Sequence, residues 1–131
     1  MDVKMMPIKE IIPYARNPRK NAAAIKKVVS SIKEFGFQQP LVLDKDNVII
    51  VGHTRLKAAE RLKLTEVPVV IADKLTPQQA KAYRIADNRT HDESEFDYEM
   101  LVLELEELQD QNYDLELTAF DKKELLNLLF E

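Results

Sequence analysis

A short apolar run that ends in a glycine most constrains the fold of this chain. Residues 48–51 read Val-Ile-Ile-Val, and Gly52 follows them directly. A continuous apolar run of this length is typical of a strand that is buried on both faces. Beyond the glycine, Leu56, Ala59 and Leu62 recur at the spacing of one helical face. The sequence therefore predicts a buried strand that passes through a glycine into a helix.

The same two patterns alternate along the rest of the chain. Strands are predicted at residues 3–12, 38–44, 48–51 and 66–73, and helices at 21–35, 53–64, 76–87, 94–111 and after 121, with an extended segment at 113–120. Thr76 with Gln79 and Asp121 with Glu124 have the spacing of capping boxes. Pro7 favours an edge position for the first strand. This order predicts an α/β (α+β) fold in which helices pack on a small mixed sheet.

The charged residues are distributed unevenly. Residues 1–91 contain nine acidic and 17 basic side chains, a net charge of +8, whereas residues 92–131 contain 14 acidic side chains and two lysines, a net charge of −12. We interpret residues 1–91 as a core and residues 92–131 as an acidic helical extension that packs on it. Two solvated faces of unequal charge are the alternative. The apolar face of the extension comprises Met100, Leu101, Leu105, Leu108, Leu125, Leu128 and Leu129.

Composition excludes several classes of protein. The chain has no cysteine, so disulfides, thiolate metal sites and a thiol nucleophile are excluded. No apolar run approaches the roughly 20 residues of a membrane span. The amino-terminal residues MDVKMMPIKE have no signal-peptide pattern. These features predict a cytoplasmic protein with no membrane partner.

The residues after Gly52 suit an anion. The first N–H groups of a helix lack internal partners and bear partial positive charge, so a helix start behind a glycine can bind phosphate. Arg55 could bind phosphate oxygens in a bidentate way, Thr54 offers a hydroxyl, and His53 offers a hydrogen bond or a charge. The alternative is structural: Thr54 caps the helix, Arg55 is a surface cation and His53 is a loop residue.

Two further clusters place asparagine near arginine. Arg19 and Lys20 follow the first strand, and Asp87, Asn88 and Arg89 follow the predicted third helix. An aspartate with an asparagine offers oxygen ligands of the kind that Mg²⁺ accepts beside phosphate. Helix C-capping and a turn are the alternative for this pair.

Three segments in this order, IPYARNPRK, VGHTRLKAAERLKLTEVPVVI and LTPQQAKAYRIADNRT, resemble the ParB-like N-terminal domain of the ParB/sulfiredoxin superfamily. The subsequences GHTRLKAA, IADNRT and FDYEMLVLELEEL resemble the ParB-like segment that precedes DNA methyltransferases of phages and mobile elements. No methyltransferase motif is present in the chain. Sulfiredoxin has a cysteine in the matching turn, so sulfinic-acid reduction is excluded here.

The resemblance implies a site for a nucleoside triphosphate, CTP or ATP, with Mg²⁺. The implied phosphate-binding residues are Arg19, Gly52, His53, Thr54, Arg55 and Arg89. The implied metal ligands are Asp87 and Asn88. His53 and Thr54 stand where partition proteins have Glu-Arg, and Arg89 follows the acid–Asn pair directly, where those proteins have two residues between.

The resemblance thus implies a nucleotide-binding, DNA-associated regulatory module, which fits the front part of a DNA-modifying protein. A metal-dependent nuclease is one alternative, with His53, Asp87 and His91 as catalytic candidates, and whether the chain is an enzyme is left open. A non-catalytic protein-interaction module, docking a partner or a second copy as a homodimer, is another. Residues 92–131 are too short and acidic for the helix-turn-helix of partition proteins, so we expect no sequence-specific DNA reading by this chain.

Overall fold

The computed structural model describes residues 1–16, 22–93 and 95–130. They form two compact units, Met1–Glu93 and Ser94–Glu131, which are described separately. The packing of an acidic extension on a core stays a prediction. In the described part of the chain, no helix has the length and apolarity that a bilayer span requires.

The first unit contains a four-stranded mixed sheet. Its strands are β1 (Val3–Pro7), β2 (Leu41–Leu43), β3 (Ile49–Val51) and β4 (Glu66–Ile71), in the spatial order β1-β4-β2-β3. Strand β4 runs antiparallel to β1 and parallel to β2, and β2 runs antiparallel to β3. The predicted mixed sheet is therefore confirmed. Strand β1 lies at an edge, where its terminal Pro7 has no cost to a central ladder. It is shorter than predicted, because Ile8–Glu10 form a 3-10 helix.

Three helices accompany the sheet. They are α1 (Ala22–Phe35), α2 (His53–Arg61) and α3 (Pro77–Glu93). Helix α2 packs on α1 and β2, and α3 packs beside β3. Alternate residues of β2 and β4 point to one side of the sheet, where they meet the apolar face of α2. The core there comprises Met6, Ile11, Leu41, Leu43, Ile49, Leu56, Ala59, Val67 and Val69.

Helix α3 is longer than the sequence pattern predicts. It begins as expected, with reciprocal bonds between Thr76 and Gln79 of 3.1 and 2.9 Å. It does not end near Asp87 but continues to Glu93. The Asn88 side chain donates to the Arg84 carbonyl at 3.1 Å, and the Thr90 hydroxyl donates to the Ala86 carbonyl at 2.9 Å. These polar side chains bond to the preceding helical turn, so the predicted C-cap and turn at residues 87–88 are wrong.

The second unit contains α4 (Tyr98–Asp110), a 3-10 helix (Leu115–Thr118) and α5 (Lys122–Leu129). Helix α4 packs against both later elements. The predicted capping box of α5 is present, with Asp121–Glu124 bonds of 2.8 and 3.1 Å. The extended segment expected at 113–120 is wrong, because the Asp114 carboxylate accepts from the Glu116 N–H at 3.1 Å and starts a helical turn.

The predicted apolar face of the second unit is only partly buried. Leu105 of α4 and Leu125 of α5 are buried. Met100 was placed on the same face by its spacing, but its side chain is 53% exposed. The face is therefore narrower than the sequence pattern suggests.

Candidate functional site

A cavity of about 220 Å³ lies in the first unit, where α2 begins and α3 passes β3. Residues 52–55 of the strand-to-helix corner line one side. Asp87 and Asn88 of α3 line another, together with Tyr14 from the first loop. The corner and the aspartate–asparagine pair, predicted separately from the sequence, thus share one cavity. The first cluster, with Arg19 and Lys20, lies outside the described residues.

Gly52 is required by the geometry of the corner. It is the cap residue of α2, and its φ of 114° lies in the left-handed region that side chains disfavour. A Cβ built at this position would overlap the Leu41 side chain on β2. The cap residue of α2 is Gly52, which has no side chain, and Thr54 lies inside the helix, so the alternative in which Thr54 is the cap residue is wrong. The amino-terminal turn of α2 therefore meets the cavity with its backbone close to the surface.

His53 joins this helix start to the first loop. The Tyr14 N–H donates a hydrogen bond to His53 Nε2 at 3.1 Å. Burial lowers the pKa of His53, and the positive charges of Arg84 and Lys57 lower it further. The ring is therefore held neutral, with its proton on Nδ1, since Nε2 accepts a bond. In this state His53 offers a donor rather than a charge.

Arg55 brings a positive charge into the cavity. Its side chain is half-buried and donates to the Gln39 side-chain oxygen. Burial lowers the pKa of Arg55, and the negative charge of Asp87 acts in the opposite direction. A guanidinium remains protonated at neutral pH in spite of such burial. A cation and a carboxylate therefore stand within electrostatic reach of each other beside the helix start.

One face of α3 lines the cavity. Arg84, Asp87, Asn88 and His91 follow one another at i, i+3, i+4 and i+7, so they share that face. Arg89 follows Asn88 directly, and its side chain is exposed. It is not one of the described residues that line the cavity. Arg84 was not predicted as a site residue, although it lies inside the predicted helix 76–87, because its partners Ile49 and Asp44 are 35 and 40 positions away in the sequence. Extending the helical pattern through His91 would have placed His91 on the same face as Asp87 and Asn88.

Arg84 is buried, with 6% of its surface exposed, and is the only buried polar or charged residue in the described ranges. Its Nε–H donates to the Ile49 carbonyl of β3 at 2.8 Å. Its Nη2 forms an ion pair with Asp44 Oδ2 at 3.2 Å, in the turn between β2 and β3. Its Cζ lies 4.0 Å from the centre of the Tyr14 ring, a cation–π contact. Three segments of the chain therefore meet at this guanidinium.

The carboxylate ligands that line the cavity are sufficient for one cation at most. Among the described residues, no group of three or more His, Cys, Asp or Glu side chains could hold a metal. Asp87 provides one carboxylate, and the Asn88 amide nitrogen is used by the Arg84 carbonyl. Mg²⁺ commonly takes one or two carboxylates and completes its shell with phosphate and water. The residues present fit that mode and do not fit a two-metal centre.

Family comparison then identifies the first unit. The model described as the ParB N-terminal domain matches residues 1–89, more than half of the chain. The chain belongs to the ParB N-terminal domain family. A second model, described as the ParB-methyltransferase HTH domain, matches residues 99–131.

The second match corrects an expectation. We expected residues 92–131 to be too short and too acidic for the helix-turn-helix of partition proteins, and residues 99–131 contain ten acidic residues and two lysines. The match shows that this length and charge do not exclude a helix-turn-helix module, whereas the expectation of no sequence-specific DNA reading stays a prediction. The helix-turn-helix is defined by how two short helices pack through a turn, whereas the charge of their outer surface does not determine that packing.

The chain is similar in sequence to curated ParB-like proteins. The ParB-like nuclease domain-containing protein YnaK of Escherichia coli K12 is 42% identical over 74 residues, which cover 56% of this chain and 85% of YnaK. The probable chromosome-partitioning protein ParB of Campylobacter jejuni is 39% identical over 74 residues, which cover 53% of this chain and 27% of that protein. The match thus spans about a quarter of the partition protein.

Solved structures confirm the fold. The ParB of Caulobacter crescentus complexed with CTP-gamma-S matches with a TM-score of 0.75 and 20% identity, over 91% of this chain and 69% of that one. Sulfiredoxin from Arabidopsis thaliana matches with a TM-score of 0.54 and 20% identity, over 63% of this chain and 97% of that one. The first unit therefore has the ParB/sulfiredoxin fold that the motifs suggested.

Proposed function

We propose that this chain binds the triphosphate of a nucleoside triphosphate, CTP or ATP, together with Mg²⁺, and acts as the regulatory module of a DNA-associated protein. One observation supports this most: α2 begins on Gly52, without a side-chain cap, in a cavity that also contains Arg55 and Asp87. The phosphate-binding and metal-binding groups proposed from the sequence are therefore neighbours.

The corner supplies three kinds of phosphate contact. The first N–H groups of α2 have positive partial charge and need acceptors. Arg55 adds a full charge with a forked geometry that suits phosphate oxygens. His53, neutral and accepting at Nε2, has its Nδ1–H available in the same tautomer that binds Tyr14. Arg19 is proposed to join from the first loop. Arg89 does not line the described cavity, so its phosphate contact stays a prediction from the resemblance.

The size of the cavity favours the polyphosphate over the whole nucleotide. Its volume of about 220 Å³ is below the roughly 300 Å³ at which pockets for complete small ligands begin. The triphosphate would lie against the start of α2, and the base would lie outside the described cavity. Base preference therefore depends on residues other than the corner.

Asp87 would hold Mg²⁺ through one carboxylate oxygen, with Asn88 beside it. When bound, the ion neutralises phosphate charge and so permits a carboxylate near the triphosphate. The same carboxylate repels a metal-free anion. Asp87 should therefore oppose nucleotide binding without Mg²⁺ and support it with Mg²⁺.

The relatives support the wider assignment. The Caulobacter protein with this fold is complexed with a CTP analogue, and the Campylobacter relative is a probable chromosome-partitioning protein. The ParB-methyltransferase HTH match supports the proposal that this chain is part of a DNA-modifying protein; its origin in a phage or mobile element is proposed from the sequence resemblance alone. DNA would be bound through that segment or through a fused or partner domain.

The test is a titration of the full chain with CTP, ATP and GTP in the presence of Mg²⁺, followed by thermal melting. A nucleotide at about 100 times its Kd should raise the free energy of unfolding by roughly 2.7 kcal/mol. Arg55→Ala should weaken binding by roughly ten- to a hundredfold, because a charged hydrogen-bonding partner is lost. Arg61→Ala, at the exposed far end of the same helix, is the matched control and should bind normally.

Equal melting shifts in wild type and Arg55→Ala would reject the corner as the phosphate site. No shift with any of the three nucleotides would reject nucleotide binding altogether. Asp87→Asn should bind nucleotide less tightly with Mg²⁺ and no less tightly in EDTA. Metal-dependent nicking of plasmid DNA that Asp87→Ala abolishes would replace the proposal with the nuclease alternative.

A further inference from the structure

Tyr14 is held from two directions. Its ring lies against the Arg84 guanidinium of α3, and its backbone N–H donates to His53 at the start of α2. Both contacts border the cavity, because all three residues line it. The first loop is therefore attached at one residue to the two helices that supply the proposed phosphate and metal groups.

Arg84 is bound to a turn that is closed by its own hydrogen bonds. Asp44 Oδ1 accepts from the N–H groups of Asp46 and Val48, at 2.8 and 3.0 Å, and closes the turn between β2 and β3. Asp44 Oδ2 remains for the ion pair with Arg84. Since Arg84 also bonds to the Ile49 carbonyl, its guanidinium has a fixed position and a fixed plane.

We infer that Arg84 is a positioning residue: it holds the first loop, through Tyr14, at the edge of the cavity. Two of its five N–H donors are bonded to Ile49 and Asp44, so the guanidinium is held in place without a ligand. Its plane provides a surface on which the Tyr14 ring rests. The loop that leads on to Arg19 therefore has its starting point set by α3.

For nucleotide binding, this inference rests on the proposed function, because loop position matters to a ligand only if the cavity binds one. The positioning role itself does not need the ligand. It predicts a measurable property of the free protein, the protection of the Tyr14 amide. The two readouts can therefore fail separately.

Arg84→Lys separates positioning from ligand binding. Lysine keeps the positive charge but lacks the planar fork, so it cannot bond Ile49 and Asp44 while stacking on Tyr14. If Arg84 holds the loop, Arg84→Lys should speed hydrogen exchange of the Tyr14 amide by about tenfold in the free full chain. Exchange at wild-type rate in a folded Arg84→Lys protein would overturn the inference.

Variants at Tyr14 and Asp44 test the same contacts without changing Arg84, so their result does not depend on whether the Arg84→Lys protein folds. Tyr14→Phe keeps the ring and is the matched control, with wild-type exchange at this position. Asp44→Asn keeps an oxygen for the turn but replaces the ion-pair oxygen by an amide, and should speed exchange of the Tyr14 amide; its melting temperature should fall, because Arg84 loses its carboxylate partner, and exchange is compared at a temperature where the variant is folded. If Asp44→Asn leaves that exchange unchanged, the network does not position the loop.

The nitrogen signals of His53 provide a second, ligand-independent readout. In wild type, the ¹⁵N shifts should show Nδ1 protonated and Nε2 accepting. Arg84→Lys should move them towards a mixture of tautomers, because the Tyr14 N–H is no longer held against Nε2. Retention of the single tautomer would contradict the proposed link from α3 through Tyr14 to α2.

Nucleotide affinity then tests the consequence. Arg84→Lys and Tyr14→Leu should each weaken triphosphate binding by about tenfold, and the double variant should be no weaker than the worse single, since both act through one loop. Full affinity in Arg84→Lys would show that charge alone suffices and would overturn the positioning role in binding. If wild type binds no nucleotide while the exchange results hold, the proposed function fails and the positioning role stands.

Discussion

Helix α5 begins with two side chains that cap each other's backbone, whereas α2 begins on a glycine with no side-chain cap. In α5, Asp121 accepts from the Glu124 N–H and Glu124 accepts from the Asp121 N–H. Helix α3 begins in the same reciprocal way with Thr76 and Gln79. Asp97 caps α4 by accepting from the Met100 N–H, so three described α-helix starts have a side-chain cap, whereas the cap residue of the helix at the cavity is a glycine.

A helix start that is accessible to an anion lacks the stabilisation that a side-chain cap provides. A side-chain cap is worth about 1 kcal/mol to a helix, because it satisfies orphan N–H groups. Such a cap would also occupy the place where an anion binds. The glycine at position 52 leaves that place accessible, and the stability that α2 lacks at its start comes instead from burial of Leu56, Ala58 and Ala59.

The largest expected effect on stability comes from adding a side chain at Gly52. Gly52→Ala should lower the free energy of unfolding by about 3 kcal/mol, because it combines a positive φ with overlap on Leu41. Urea denaturation of the full chain, followed by circular dichroism, measures this. Gly36→Ala is the matched control: its φ is 82°, but the added Cβ meets only the flexible Gln38 side chain. It should cost about 1 kcal/mol. Equal losses at the two glycines would show that the Leu41 contact is unimportant.

A smaller effect is expected at the self-capped start. Asp121→Ala should destabilise α5 by about 1 kcal/mol and leave nucleotide affinity unchanged. Hydrogen exchange of the first-turn amides of α5 measures the first, and the nucleotide titration measures the second. Lys123→Ala, exposed in the same turn, is the control for helix propensity. A change in nucleotide affinity with Asp121→Ala would show that the two helix starts are coupled, which the comparison does not predict.

The smallest effect is a dependence on pH at the cavity start. The pKa of His53 is lowered in the folded protein from the usual 6.5, so the unfolded chain binds a proton there more readily. Stability should therefore be fully present above about pH 7 and fall as the pH drops through 6.5 towards the lower folded pKa. Melting temperatures between pH 7.5 and 5.5 measure this slope.

His53→Gln keeps an acceptor for the Tyr14 N–H but does not titrate, so it should flatten the slope. Asp121→Ala should keep the wild-type slope, because its helix start has no histidine. A His53→Gln protein with the wild-type slope would exclude His53 as the source of this pH dependence.

The comparison also shows which features a sequence can specify. The capping boxes were predicted correctly because each depends on residues three positions apart, and such local rules survive in any fold. The strand-to-helix corner was predicted for the same reason. Around Gly52, the spacing of apolar residues changes from that of a strand to that of a helix within one short segment.

The features that were missed depend on contacts between distant residues. Tyr14 and His53 are 39 positions apart, and Arg84 meets an aspartate 40 positions away. No local pattern marks a buried arginine that binds such partners. The run from Asp87 to Thr90 was misread because its polar side chains suggested a turn, although Asn88 and Thr90 bond back to their own helix. Acidic charge likewise concealed the helix-turn-helix match.

Arg84 and Asp87 are three positions apart on one continuous helix. One residue inserted between them would rotate Asp87 by about 100° about the helix axis and move it about 1.5 Å along that axis. The loop anchor would remain in place while the proposed metal ligand turned away from the cavity. Insertions or deletions just before Thr76 or just after Glu93 leave the spacing of Arg84 and Asp87 unchanged and should therefore be tolerated. A relative with an insertion between these two residues should retain the scaffold but lack the proposed metal ion.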